Sequence, residues 1–348
     1  GLWQGNNVSR IPHKQAKAIG KLLFFDNKTA LRSIDRFGII LSYFSSISPP
    51  TSIKSEVGIS FISASCIRYL FMIQSFASAI SHYWATHPEW YSQALQSSPI
   101  LAKTLPIDNT TSSEDFLTLL PLRATLFDMD GVLFDSMPAH AKSWAQVCRE
   151  FGFDVDETEI YMNEGRTAFT TLNVFTQRQY GRDTTPEEVE KVYQRKCEVF
   201  NTFPSASKMQ GAQELLDQIA ADHLTRVVVT GSGQASLLER ITRHYPNIFN
   251  TKRIVSSLDV KHGKPDPEPY LMGLEKAGVQ PWEAIVVENA PLGVRAGVAA
   301  GIFTIAVNTG PLPESALLDE GANLLFPSMQ AFAEAWPQLR NFFALRSE

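Results

Sequence analysis

The chain has 348 residues, enough for two or three domains of ordinary size. An apolar content of 44% and a charged content of 19% describe a soluble protein able to bury a core, and a net charge of −5 argues against a nucleic-acid binder, which needs a basic face. The three cysteines (Cys66, Cys148 and Cys197) stand in no CxxC or metal-ligand spacing, which fits free thiols in a reducing compartment and sets the expectation of a cytoplasmic protein.

Charge divides the chain. Residues 1–71 carry a balance of +6, residues 72–120 of −3, and residues 121–348 of −8. The first 71 residues include the Ser-rich stretch SYFSSISPPTSIKS and hold no sustained helical or strand period. The chain begins with Gly1, and Met72 is the only methionine before Met129. The expectation is that residues 1–71 are an upstream extension and that the native product starts at Met72. Intact-mass measurement of the protein from its natural host checks this, and a product beginning further upstream would overturn it. Asn-x-Ser/Thr sequons at Asn7, Asn27 and Asn109 read as chance matches.

Tyr69 to Pro88 is a run of 20 residues without Asp, Glu, Lys or Arg. That length could span a bilayer. Gln74, three serines and two histidines interrupt it, so an amphipathic helix within 72–100 is the reading preferred and no membrane association is expected. The aromatics between His82 and Tyr91 suit docking, either on a partner or on the rest of the chain. Residues 104–115 have the composition of a polar linker. Residues 1–120 as a whole are read as an N-terminal extension.

From Ala124 onward short apolar runs alternate with helical patterns: ATLFDMD, RVVVTGS, RIVSSLDV, AIVVENA, FTIAVNTG and NLLFPS. Strands alternating with helices predict an α/β fold, a doubly wound, mostly parallel Rossmann-like sheet covered on both faces. Ligands of such sheets lie beyond the carboxyl ends of the strands. About 95 residues separate the first strand from the second and contain only helical patterns (HAKSWAQVCREFG, AFTTLNVFTQRQYG, PEEVEKVYQRKCEVFN). Pro186, followed by Glu187 and Glu188, is a helix start, because proline suits the first turn and acids suit the positive N-terminal end. The predicted division is therefore a core of residues 121–136 and 206–348 with a helical cap of residues 137–205.

Four strand ends carry candidate chemistry. Asp128 and Asp130, at i and i+2 on an extended segment, point the same way, and Gly131 allows a sharp turn. Two adjacent carboxylates repel unless a cation neutralises them, so the pair reads either as a Mg²⁺ site with a nucleophile and an acid/base, or as solvated acids in a turn. Thr230, Gly231 and Ser232 leave backbone N–H groups free ahead of a helix pattern from Gln234, which suits a phosphate but is a common turn. Lys264 lies in a proline-rich loop, HGKPDPEP, stiff enough to hold one cation against a phosphoryl group; an exposed lysine before a helix is the plainer alternative. Glu288 and Asn289 leave the fourth strand and could supply oxygen ligands to Mg²⁺, or Asn289 could cap the following helix.

These four motifs in this order, with the helical insertion after the first, resemble the haloacid-dehalogenase (HAD) superfamily over residues 123–340, and within it the β-phosphoglucomutase-like branch with a helical cap. The resemblance implies that Asp128 attacks phosphorus and forms an aspartyl-phosphate, and that Asp130 protonates the leaving oxygen and then activates water. It implies that Thr230 and Lys264 bind phosphoryl oxygens, and that Asp128, the Asp130 carbonyl and Asn289 hold Mg²⁺ with Glu288 beside them. His140 and Lys196 fall where relatives place a cap-hinge histidine and a cap lysine; a helix-end histidine and a solvated lysine are the plain alternatives. Two departures stand out. Glu288-Asn289 replaces a more usual Glu-Asp, and the cap stretch YMNEGRT has Arg166 at an altered spacing with an added carboxylate, Glu164. YMNEGRT and AIVVENAPLGV are similar to HAD-type inorganic pyrophosphatases, which makes pyrophosphate or another small phosphate the expected substrate. A β-phosphoglucomutase or broad sugar-phosphate phosphatase is the alternative, and a non-catalytic binding module a remote one. The expected molecule is a monomer with a small phosphate as its partner.

Overall fold

The computed structural model describes residues 64–98, 119–233 and 235–343. The extension over residues 1–63, the three sequons, the linker at 104–115 and Gln234 lie outside the described residues. Six strands form one sheet: β1 (Ala124–Phe127), β2 (Thr225–Val229), β3 (Ile254–Val255), β4 (Ala284–Glu288), β5 (Phe303–Val307) and β6 (Leu324–Phe326). Their order is β3-β2-β1-β4-β5-β6, with every pairing parallel. Each of the six apolar runs of the sequence holds one strand. β1, β4 and β5 are buried along their whole length, as central strands covered on both sides must be.

Alternate side chains serve two cores. Phe127, Val228, Ile285, Val287, Phe303 and Ile305 face one side. There they meet α1 (Ala64–Thr86), α7 (Ala212–Ala221) and α12 (Met329–Leu339) through Ile80, Leu215 and Phe332. Leu126, Val227, Val229 and Val286 face the other side and meet α9 (Glu268–Ala277) and α10 (Pro291–Ala299) through Tyr270, Leu274 and Ala296. This is the period of two expected of a strand buried on both faces.

The segment before β1 belongs to the first of these cores. Phe76, Ile80, Tyr83 and Trp84 share one face of α1 and are buried. The Tyr83 hydroxyl donates to the Gly301 carbonyl at 2.9 Å, and the Trp84 indole N–H donates to the Leu119 carbonyl at 3.0 Å. After a break at His87, α2 (Pro88–Ser97) presents Trp90, which stacks on His87 at 4.4 Å and lies 5.9 Å from Trp282. The uncharged run is thus a helix packed against the sheet, and the aromatics that suggested docking dock within the chain. No helix among the described residues is long and apolar enough to cross a membrane.

Between β1 and β2 lie α3 (Met137–Glu150), α4 (Glu157–Met162), α5 (Ala168–Tyr180) and α6 (Pro186–Phe200), with no strand among them. They have a core of their own, built on Met137, Ala141, Trp144 and Cys148 of α3 with Leu172, Phe175, Val192 and Val199. The α3 residues recur at three- and four-residue intervals, the spacing of one helix face. α6 opens as its sequence indicated. Pro186 is in the first turn, the Thr185 side chain accepts from the Glu188 N–H, and the Glu188 carboxylate accepts from the Thr185 N–H. α8 (Ala235–His244) follows β2, and a short α11 (Ser315–Leu318) precedes β6.

Candidate active site

The carboxyl ends of β1, β2 and β4 meet under the insertion, and the loop after β3 reaches them. Asp128 follows the last residue of β1, and its N–H donates to the Val287 carbonyl of β4 at 3.0 Å. The chain then turns: the Gly131 N–H donates to the Phe134 carbonyl at 2.7 Å, and the Leu133 N–H to the Met129 carbonyl at 2.9 Å. Gly131 has φ +83°, and a Cβ there would lie 2.1 Å from Asn289 Nδ2. Both its dihedral and the approach of Asn289 require glycine.

Lys264 is the centre of the buried charge. Its Nζ donates to Asp128 Oδ1 at 2.5 Å, to Glu288 Oε1 at 2.6 Å and to the Val229 carbonyl at 3.0 Å. Burial opposes its charge, but the two carboxylates outweigh that and hold the ammonium above its usual range. The exposed-lysine alternative is therefore not what the fold does: Lys264 is 2% exposed. Burial pushes Asp128 up to about 8; Lys264 opposes this, while Glu288 and Asp130 add to it.

Glu288, counted from the sequence among the metal ligands, has both oxygens occupied. Oε1 accepts from Lys264 and from the Tyr270 hydroxyl at 2.8 Å; Oε2 accepts from the Asn289 N–H at 3.0 Å and the Ala290 N–H at 3.1 Å. It is fully buried and holds Lys264. Gly293 makes room for it, since a Cβ there would fall 1.8 Å from Glu288 Oε1. Asn289 does not cap α10, whose N-cap is Ala290. Its Nδ2 donates to both oxygens of Glu164, at 3.2 and 3.1 Å, and its Oδ1 is buried without a hydrogen-bond partner.

Asp130 stands in a different environment. Its Oδ1 accepts from the Ser136 hydroxyl at 2.5 Å and lies 3.3 Å from His140 Nε2. Burial pushes its carboxyl up, but His140, Ser136 and Arg240 outweigh it and bring it down to about 2. His140 sits inside α3, one turn past the N-cap Ser136, so it does not cap a helix end. Its Nδ1 is 3.0 Å from Lys196 Nζ. Lys196 is 2% exposed and lies 4.6 Å over the Phe200 ring, which corrects the solvated alternative; burial pushes its ammonium down to about 8.

The insertion closes over these groups at three glycines. A Cβ on Gly231 would meet the Gly165 carbonyl oxygen at 2.9 Å, one on Gly165 would meet Lys264 Cδ at 3.1 Å, and one on Gly263 would meet Thr167 Cγ2 at 2.8 Å. Closure leaves a cavity of about 100 Å³, lined at one end by Asp128, Asp130, Glu164, Thr230, Gly231 and Ser232. The Thr230 hydroxyl accepts from the Ser232 N–H at 3.0 Å, so Thr230 also shapes this turn. Arg166 lines the cavity, with its Nε–H donating to Asn163 Oδ1 at 3.0 Å. Burial and the charges of Asp128 and Glu288 push the Glu164 carboxyl well above its usual range.

Sequence reading missed Tyr270, Ser136, Arg240 and Gly293. A tyrosine or a glycine within a helical pattern carries no signal of an acid partner, and Ser136 reads only as a helix start.

The family model described as haloacid dehalogenase-like hydrolase matches residues 125–307, more than half of the chain. The chain belongs to this family. As a haloacid dehalogenase-like hydrolase it is 32% identical to hexitol phosphatase A of Escherichia coli over 185 residues, 53% of this chain and 82% of that protein. It is 30% identical to 2-deoxyglucose-6-phosphate phosphatase 1 of Saccharomyces cerevisiae over 216 residues, 57% of this chain and 84% of that one. A solved Bacteroides vulgatus structure, provisionally described as a beta-phosphoglucomutase, matches with a TM-score of 0.67 and 47% identity over 79% of this chain and 99% of its own. These names refer to sugar and hexitol phosphates, and they lend no support to the expected likeness to pyrophosphatases.

Proposed function

We propose that this hydrolase cleaves phosphate monoesters of small sugars or polyols, with Asp128 as nucleophile and Asp130 as acid/base. The observation that carries the reading is the contrast between two carboxylates at one strand end. Asp128 is gripped by an ammonium that anchors it in the cavity that Thr230, Gly231 and Ser232 also line. Asp130 is turned the other way, toward Ser136 and His140. The roles are read from placement, Asp128 against Lys264 in the cavity and Asp130 against Ser136 and His140, and not from the direction of their pKa shifts, which a cation beside Asp128 would change.

In this reading Asp128 attacks phosphorus, Asp130 gives a proton to the leaving ester oxygen, and Asp130 then takes one from the water that releases phosphate. Lys264 keeps Asp128 placed and offsets charge on the phosphoryl oxygens, which is most of what phosphoryl transfer asks of a protein. The donor set fits Mg²⁺. Asn289 Oδ1 is a buried acceptor without a partner, and Asp128, Glu164 and Glu288 exceed the single ammonium of Lys264 in charge. The Asp128 carboxylate, the Asp130 carbonyl and Asn289 Oδ1 would hold the ion, with Glu164 adjoining. When bound it supplies charge neutralisation at the nucleophile and the phosphoryl group.

Pyrophosphate fits less well. The relatives named above act on organic phosphates by their names, and the cavity has an apolar side that pyrophosphate would not use. With Mg²⁺ present, kcat/KM measured for glycerol phosphate, hexitol phosphates, hexose 6-phosphates and pyrophosphate should favour an ester at least tenfold over pyrophosphate. The opposite order would overturn the ester reading. Formation of glucose 6-phosphate from β-glucose 1-phosphate faster than release of phosphate would instead mark a mutase. Asp128→Asn should lose all turnover with its fold intact by circular dichroism, and retained turnover would remove Asp128 as nucleophile.

A further inference from the structure

A lysine ammonium has three N–H donors, and those of Lys264 are all taken: by Asp128 Oδ1 at 2.5 Å, Glu288 Oε1 at 2.6 Å and the Val229 carbonyl at 3.0 Å. Lys264 can meet a phosphoryl oxygen only when one of these partners gives up its bond. The Val229 carbonyl is neutral and fixed at the end of β2. Glu288 carries a full charge and competes with Asp128 for the ammonium directly.

Three further donors share Glu288. The Tyr270 hydroxyl meets Oε1 at 2.8 Å, and the Asn289 and Ala290 N–H groups meet Oε2 at 3.0 and 3.1 Å. Hydrogen bonds to a carboxylate stabilise its charge, so each one it accepts lessens its pull on the next donor. Tyr270 shares the very oxygen that Lys264 uses. It comes from α9, is fully buried, and has Lys264 Nζ 5.0 Å from the centre of its ring. The helix lies close to the strand ends because of Gly273, one turn on, where a Cβ would run into Leu126 Cδ2 of β1. Tyr270 is not part of the lining of the cavity that holds Asp128 and Thr230, so it acts on the reaction through other side chains.

We infer that Tyr270 is a positioning residue for phosphoryl transfer: its hydroxyl restrains the pull of Glu288 on Lys264 and keeps one N–H of the ammonium available to pass from Asp128 to the phosphoryl group. In that step an Asp128 oxygen bonds to phosphorus, the ester P–O bond breaks, and the leaving oxygen takes the Asp130 proton. The Asp128 carboxylate becomes the neutral acyl half of the intermediate, while the phosphoryl oxygens keep their charge. The N–H that Asp128 held then goes to a phosphoryl oxygen. Without the phenol hydroxyl, Glu288 draws the ammonium toward itself and away from both. The inference rests on Asp128 acting as nucleophile.

The test is Tyr270→Phe, which keeps the ring and removes the hydroxyl. It is measured in the full chain with Mg²⁺, on whichever of glycerol phosphate, a hexitol phosphate, a hexose 6-phosphate or pyrophosphate the parent cleaves fastest. kcat should fall at least fivefold, with KM within twofold of the parent because no cavity-lining group has changed. Tyr83→Phe is the control. It also removes one buried hydroxyl bond, to the Gly301 carbonyl, on the other face of the sheet, and should keep kcat within twofold. Tyr270→para-aminophenylalanine, which retains a weaker N–H donor, should have a kcat between parent and Tyr270→Phe. A smaller fall in kcat for folded Tyr270→Phe, a KM raised more than twofold, or an equal fall in Tyr83→Phe overturns the inference. If Tyr270→Phe does not fold, the para-amino variant decides alone: a kcat at least threefold below the parent at unchanged KM is expected, and any smaller loss overturns the inference. A parent that cleaves none of these compounds overturns the phosphatase reading itself, whereas an active parent with an unaffected Tyr270→Phe overturns only the role of Tyr270.

Discussion

Lys264 shows how one side chain can carry both fold and chemistry. Its three donors meet two carboxylates and a carbonyl, all in the interior. Removing the ammonium would leave Glu288 and Asp128 buried without a counter-charge, which costs about 3–5 kcal/mol when one partner of a buried pair is lost. Lys264→Met is therefore expected to lower stability by that order in urea titration as well as to abolish turnover. Lys196 behaves in the opposite sense. Burial pulls its folded pKa down to about 8, below the 10.5 of an ordinary lysine. Folding then carries a cost that is present in full below pH 8 and fades as pH rises from 8 to 10.5, where the unfolded lysine also loses its proton. Lys196→Met should be more stable than the parent at pH 7, by up to about 3 kcal/mol, with the gap closing by pH 10. A gap that widens with pH would refute this account. Cys148, whose thiol burial pushes up to about 12, should resist alkylation at pH 8 until the protein unfolds.

At the scale of elements, the insertion and the N-terminal helices are held by different means. The insertion has its own core and meets the sheet loops at glycines, Gly165 lying against Gly231 and the Lys264 stem and Thr167 against Gly263, with side-chain contacts from Glu164 to Asn289 and from His140 to Asp130. Gly263→Ala would drive a Cβ into Thr167 Cγ2 and prop this seam apart. The expected outcome is a KM raised severalfold with little change in melting temperature. The capping box of α6 is worth about 1 kcal/mol, and Thr185→Ala should lose that much in a denaturant titration. On the other side of the sheet, α1 contributes large side chains, and α2 closes over the turn at Gly301. Gly301 has φ +73°, and a Cβ there would lie 1.8 Å from the Trp90 ring. Alanine at 301 is strained twice over, so Gly301→Ala should destabilise the protein by a few kcal/mol, and Trp90→Ala should partly restore it.

For the molecule as a whole, the family match begins at residue 125, while the first core begins earlier in the chain. Phe76, Ile80, Tyr83 and Trp84 are buried against the same sheet face as Phe303, Phe326 and Phe332. A chain started at residue 119 would expose that face to water. Burial of one large aromatic is worth about 1.5–3 kcal/mol, so the loss of several exceeds the usual stability of a domain. Such a truncation should give insoluble protein or a much lower melting temperature, whereas truncation at residue 63 tests only the extension. A truncated chain with unaltered melting would show α1 to be dispensable.

Much of this was legible beforehand. Six strands were readable because a sheet buried on both faces demands unbroken apolar runs, and four strand-end motifs were readable because parallel topology sends every strand end to one edge. The helical insertion was readable from its period and from the Pro186 start. Only the tertiary structure decided what those residues touch. It joined Glu288 to Lys264 and buried Lys196 against Phe200, and it set Tyr270, Ser136 and Arg240 beside carboxylates far from some of them in the chain. It also placed Trp144 beside Tyr193 in the lining of the cavity. The reason is physical. Strand and helix periods are local properties of consecutive residues, whereas a pKa, a cavity wall or an orphaned acceptor is created by groups that meet only when distant segments pack.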